Sequence, residues 1–448
     1  MQIRGIFDAS DDYCRGVDRS YPLWGKDFFL VGEAADFDWK VFVIMLTLGG
    51  MASYKLVDYL AQFKIVEHNS RIDIVFVAFV IAFMFVPVLK INHDTVSKQE
   101  NRTLAAYVPL VKDGRLNFNY GRDFEAWFND HFNQRKLFID VNSRLNLFLN
   151  RKLKSETAMA GKDGWMYTKR WGSVEMFQNK YLYNYEDLRK IKNKLERISL
   201  WAKRHGMKFY VFLVPDKERI YPEFYPDGFK KINPAAKIEQ VEEYMRAKSF
   251  VPVIYPEESL MAAKKDHILY YKTGTHWNHW GAYIGYLDLF RRIKKDFPSL
   301  KIMQESDFNI VPKVSADVDI ASALGIDAYK VLPEKELTYD EFEVKEPTAE
   351  GTHTFVNKEK RIETFDYVSS NPANKLKAVF YADSQFLRMN WYAAESFSRM
   401  LNIYSGYGRD YDLPYMAETI IDYKPDILVI ETGERFLSRL LNMEVPED

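Results

Sequence analysis

The chain has 448 residues, 47% apolar and 28% charged, which is ordinary globular content and excludes a mainly disordered polymer. Its 62 Lys and Arg against 63 Asp and Glu leave a formal charge of -1 with no long basic run, so nothing provides the electrostatic footprint of a nucleic-acid binder. Cys14 is the only cysteine, which excludes an internal disulfide and a cysteine-based zinc cluster, and no cofactor motif is present.

Two apolar stretches come first. Val41 to Tyr54 runs for 14 residues before Lys55 and Asp58 interrupt it, and Ile74 to Leu89 is unbroken over 16. Extended by Ile72 and Ile91, with flanking charges able to snorkel, the second is long enough for a membrane helix. The sequence predicts an anchor helix over 72–91, preceded by an N-terminal segment 1–71 in which 41–60 is a candidate first span. The roughly 40 polar residues before that span are far longer than the charged start of a signal peptide. Lys55, Lys64 and Arg71 should stay inside, which predicts an inner-membrane protein with everything after Lys90 facing the periplasm or exterior.

Residues 98–160 read as a helical collar, with Phe124, Trp127, Phe128 and Phe132 at helical spacing. Beyond it, over 161–448, strands alternate with helices. Asn184 is placed to cap a helix carrying Leu188, Ile191, Leu195, Ile198 and Ala202, closed by Gly206. Phe209 to Val214 reads as a strand, Asn233-Pro234 as the start of a helix with Ile238, Val241 and Met245, and Val251 to Tyr255 as a short strand. Ala378 to Tyr381 and Ile427 to Ile430 are further strands, the former leading into a helix with Leu387, Phe397 and Met400. This alternation predicts an α/β domain with a parallel sheet, and the polar, less periodic stretch near 306–368 an insertion or lid.

Reactive side chains fall in three turns. These are Val214-Pro215-Asp216-Lys217, Tyr271-Lys272-Thr273-Gly274-Thr275-His276-Trp277-Asn278, and Tyr381-Ala382-Asp383-Ser384. Turns after parallel strands are where open α/β folds place their ligands. A serine there needs a base, because its free hydroxyl is a weak nucleophile, and His276 is the histidine nearest the expected sheet edge. A helix cap for Ser384 and a structural hydrogen bond for His276 are the plainer readings of the same residues.

The motifs resemble the alginate O-acetyltransferase family of exported SGNH-hydrolase-like proteins. They run in order from Glu100-Asn101-Arg102-Thr103 through the Phe124–Phe132 segment, Gly161-Lys162-Asp163-Gly164-Trp165 and Val214-Pro215-Asp216-Lys217. Thr275-His276-Trp277-Asn278, Asp383-Ser384 and Lys424-Pro425-Asp426 follow. The resemblance implies an SGNH-hydrolase-like, Rossmann-type sandwich in which Ser384 is the nucleophile and His276 the general base. Asn278, Trp277 and Lys217 are then the candidate substrate-binding residues. It further implies acetyl transfer to hydroxyls of an extracellular polysaccharide, with a membrane-bound O-acyltransferase as the partner supplying acetyl groups.

Two positions depart from that pattern. Ala382 replaces a glycine before Asp383-Ser384, and Gly274 stands where the family places the acid before Thr-His. Three arrangements fit the missing acid: another carboxylate reaching His276, with Asp216 and Asp266 as candidates; a carbonyl or water orienting the ring; or an inactive relative. The expectation is that Gly274→Asp, where geometry permits, would raise the rate. A carbohydrate esterase and a non-catalytic glycan-binding scaffold are the rival functions.

Overall fold

A computed structural model describes residues 91–97, 102–112, 115–132, 155–357, 362–406 and 410–446. The predicted spans over 41–60 and 72–91 lie outside them, apart from Ile91. Among the described residues no helix is long and apolar enough to cross a membrane. The described residues fall into two units, 91–132 and 155–446.

In the smaller unit, helix α1 (Tyr120–His131) carries the aromatic stripe as a ladder. Phe124 stacks on Phe128 at 6.0 Å between ring centroids, and Phe128 on Phe132 at the same spacing.

The larger unit opens with a hairpin, β1 (Ala158–Ala160) and β2 (Met166–Thr168). Helix α2 (Tyr185–Arg204) follows. Asn184 caps it by accepting from the Asp187 N–H, and Gly206 leaves it at φ 81°. Strand β3 (Lys208–Val214), helix α3 (Lys237–Lys248), strand β4 (Val253–Ile254) and helix α4 (His279–Asp296) come next. Helix α3 starts at Lys237, three residues after Asn233-Pro234, whose asparagine donates its side-chain amide to the Asn179 carbonyl.

A seven-stranded sheet forms the core, built from β3, β4, β7 (Ala349–Asn357), β8 (Ile362–Ser369), β9 (Lys377–Ala382), β10 (Arg399–Ser405) and β11 (Ile427–Gly433). Its order is β7-β8-β10-β9-β11-β3-β4. The run from β10 to β4 is parallel, whereas β7 and β8 are antiparallel additions at one edge.

The predicted wholly parallel sheet is therefore corrected to a mixed one. The two antiparallel strands come from the stretch read as aperiodic. In β7 buried or half-buried positions alternate with exposed ones from Ala349 to Thr354, and Phe355 and Val356 are then both exposed, as on an edge strand. A separate two-stranded antiparallel ladder pairs β5 (Phe308–Val314) with β6 (Thr338–Val344).

Alternate residues of the parallel strands enter two cores. Tyr210, Phe212, Phe380 and Val429 face the aromatic side of α4, with Tyr283, Tyr286 and Phe290. Phe209, Val211, Val379 and Leu428 face α2, α3 and α5 (Leu413–Tyr423). Both sheet faces are buried, which is why these strands read as continuous apolar runs. The predicted helix after β9 is reduced to the short helix Asn390–Ala394, which contains none of the three residues assigned to it. Leu387 lies in a single helical turn, Phe386–Arg388, and Met400 belongs to β10.

Candidate active site

Neighbouring strands β9, β11 and β3 end on the same side of the sheet, and their turns carry Asp383-Ser384, Glu434-Arg435 and Pro215-Asp216-Lys217. The Ser384 turn is held by its buried neighbour. Asp383 accepts from the Gln385 N–H at 2.9 Å, the Gly433 N–H at 3.0 Å and Arg439 Nη1 at 3.2 Å, and gives its own N–H to Glu431 Oε2 at 2.8 Å. Only two short helical segments follow, Phe386–Arg388 and Asn390–Ala394, so no long helix supplies a dipole to Ser384.

The loop bearing His276 is fixed from below. Lys217 Nζ donates to the carbonyls of Tyr271, Lys272 and Gly274 at 3.1, 3.2 and 2.6 Å, and burial pushes this ammonium down to about 7. Arg435 Nη2 reaches the Thr275 carbonyl at 3.3 Å. Trp277 is fully buried against Gly285, its indole N–H on the Gln385 carbonyl at 2.9 Å, which ties this loop to the Ser384 turn. Asn278 caps α4 by accepting from the Gly281 N–H at 3.1 Å. Lys217, Trp277 and Asn278, read from sequence as substrate-binding, are thus placed as buried supports of the loop. Lys217→Met should cost about 1–3 kcal/mol for each buried carbonyl left bare. The check is denaturant unfolding, and an unchanged midpoint would refute the supporting role.

His276 Nε2 lies 2.8 Å from Ser384 Oγ, 108 residues away in the chain. Its Nδ1 is hydrogen-bonded to Asp317 Oδ2, which also receives the His276 backbone N–H at 3.3 Å. With Nδ1 as donor, Nε2 is left as the acceptor of the serine proton. Burial alone would push the Asp317 carboxyl up, but the charge and hydrogen bonds of His276, helped by Arg388, hold it well below the usual carboxylate range.

Asp317 was not read from the sequence as a site residue, and neither candidate third member meets the imidazole. Asp216 Oδ1 accepts from Arg435 Nε at 2.8 Å in a buried ion pair. Exposed Asp266 follows helix Glu257–Ala263 and lines a surface cleft with Ser259, Asp288 and Arg291. The signal that could have found Asp317 is Gly274 itself, since a missing side chain beside a base leaves room for a carboxylate from elsewhere. His279 has a different task. Burial lowers it to about 3, and its neutral Nδ1 accepts the Phe342 N–H at 2.8 Å.

His276, Asp317 and Asp319 each offer a ligand atom, all within 4.8 Å of one another. Those atoms are already engaged. Asp319 accepts both the Thr275 N–H at 2.9 Å and the Thr275 hydroxyl at 2.6 Å, so a cation would have to displace these bonds.

Residues 158–362 match the family described as SGNH hydrolase-like domain, acetyltransferase AlgX, a span that includes His276 and Asp317 and stops short of Ser384. The probable alginate O-acetylase AlgJ of Pseudomonas syringae pv. tomato is 25% identical over 41% of this chain and 45% of its own. The chain thus matches less than half the length of that curated relative. Among solved structures, a DHHW family protein from Eubacterium siraeum has a TM-score of 0.45 at 14% identity, covering 66% of this chain and 98% of its own. The O-acetyltransferase domain of Pseudomonas putida AlgJ has a TM-score of 0.38 at 15% identity, covering 64% of this chain and 94% of its own. The family resemblance carried by the motifs therefore holds: this chain contains a domain similar to the SGNH-hydrolase-like acetyltransferases of the AlgX and AlgJ type.

Proposed function

We propose that the chain is a membrane-anchored O-acetyltransferase whose catalytic domain, 161–448, faces the periplasm or exterior and acetylates hydroxyls of a polysaccharide. The observation that carries this reading is the hydrogen-bonded series Ser384, His276, Asp317 at the carboxyl edge of the sheet. As Ser384 Oγ attacks an acetyl carbonyl, its proton passes to His276 Nε2. Collapse of the tetrahedral adduct breaks the bond to the donor's leaving group, which takes that proton and departs. A sugar hydroxyl then gives its proton to Nε2 while its oxygen attacks the acetyl-serine, and Ser384 recovers its proton as the acetylated sugar leaves. Asp317 keeps the ring in the receptive tautomer and stabilises the imidazolium in both halves.

The apolar runs over 41–60 and 72–91 and the positive residues between them support an inner-membrane anchor, with 98–160 as the collar. A membrane-bound O-acyltransferase is the partner that would bring acetyl groups across the bilayer. An esterase would use the same residues with water in place of the sugar. Gly274 was the feature favouring a non-catalytic scaffold, and Asp317 fills the role that glycine left open.

The test incubates the full chain with a small acetyl ester, with and without an acidic oligosaccharide, and follows acetylated sugar and free acetate. A serine-reactive phosphonate should label Ser384 and block both products. Labelling confined to other residues, or turnover untouched by labelling, would overturn the reading. Acetate alone at saturating oligosaccharide would make the chain an esterase.

A further inference from the structure

Gly274 and Asp317 compete for one volume. A β-carbon built on Gly274 would lie 2.5 Å from Asp317 Oδ2, close to the Cβ–Oδ separation within an aspartate itself, and would overlap the rest of that side chain. An acid at 274 would therefore aim its carboxylate at the place where Asp317 now meets His276 Nδ1. Asp317 arrives on a strap, residues 315–319, between β5 and the helix Asp319–Ala323. The strap is fastened to the His276 loop at several points. Thr273 Oγ1 donates to the Asp317 carbonyl at 2.6 Å, the Ala321 N–H to the Thr273 carbonyl at 3.0 Å, and Thr275 donates twice to Asp319.

We infer that the carboxylate positioning His276 is delivered in trans along the chain by this strap, that Gly274 is the gap admitting it, and that positions 274 and 317 are interchangeable sources of one carboxylate. The inference rests on the catalytic reading of His276. Asp317 acts through the imidazole and is a positioning residue. The earlier expectation for Gly274→Asp is thereby reversed: in the native background the new side chain collides with Asp317 and should harm the site. The charged groups around the ring are otherwise Asp319 on the strap, Arg388 after β9, and Lys217 and Arg435 beneath the loop.

The test compares four full-length proteins: native, Asp317→Gly, Gly274→Asp, and the double variant. Two readouts are taken, ester turnover and the low-field imidazole N–H resonance of His276 in histidine-labelled protein. Asp317→Gly should lose the resonance and on the order of 10²- to 10⁴-fold in turnover. Gly274→Asp alone should lose at least about tenfold in turnover, as two side chains contest one site. The double variant should regain the resonance and most of the rate.

Native turnover and resonance in Gly274→Asp would overturn the inference, as would a folded double variant no better than Asp317→Gly on both readouts. Should the double variant fail to fold, Gly274→Ala decides: it must be harmful with Asp317 present and cost nothing further in Asp317→Gly. A native chain that forms neither free acetate nor acetylated sugar from the ester would sink the proposed function, while the resonance pattern would still decide the strap.

Discussion

Ser384→Ala is expected to lower turnover of a small acetyl ester by on the order of 10⁶-fold, the loss seen when a serine hydrolase is deprived of its nucleophile. Among the described residues no other side-chain hydroxyl is hydrogen-bonded to Nε2 of His276, so none is placed to take over from Ser384 Oγ. The fold should survive. The turn is held by Asp383, through Gln385, Gly433 and Arg439, and the lost hydroxyl makes a single side-chain hydrogen bond worth about 1 kcal/mol. Ester kinetics and thermal melting on the same preparation check both halves. Activity within tenfold of native would mean that the chemistry runs elsewhere.

Asp317→Asn should cost on the order of 10⁴ in turnover, as the equivalent change does in serine proteases. An asparagine amide can donate to Nδ1, which favours the tautomer with its proton on Nε2 and leaves nothing to receive the serine proton. The substitution also has a stability signature. The Asp317 carboxyl is held below its usual value in the fold, so its contribution is present in full above the unfolded value of about 3.9 and drains away as pH falls below it. Asparagine removes that component, and the variant's unfolding free energy should fall less steeply through the acid range. A native-like rate with a native-like acid slope would show that Asp317 is a bystander.

The sequence exposed whatever is written in local pattern. Asn184 and Gly206 bracket their helix as read, and the strands from Phe209, Ala378 and Ile427 are where continuous apolar runs place them. The juxtaposition of His276 with Ser384 came from motif order and lies at the predicted edge. Asp317 escaped because it sits 41 residues from His276 in Ser315-Ala316-Asp317-Val318-Asp319, where neither helical nor strand periodicity marks a functional position. Asp216 misled for a related reason. Its partner Arg435 is 219 residues away, and only tertiary contact reveals that this acid is already claimed. Met400 misled through spacing, since apolar residues split between a turn and a strand can mimic one helix face.

The three members of the hydrogen-bonded series lie at positions 276, 317 and 384, on segments joined only by long-range packing. Closing loops of that size is entropically costly and precedes any reward from contact, so such arrangements belong to the later stages of folding. Until then Ser384 is an ordinary alcohol in an unfolded chain. The hydrogen-bonded series is therefore absent during synthesis and forms only when the segments bearing residues 276, 317 and 384 have packed together.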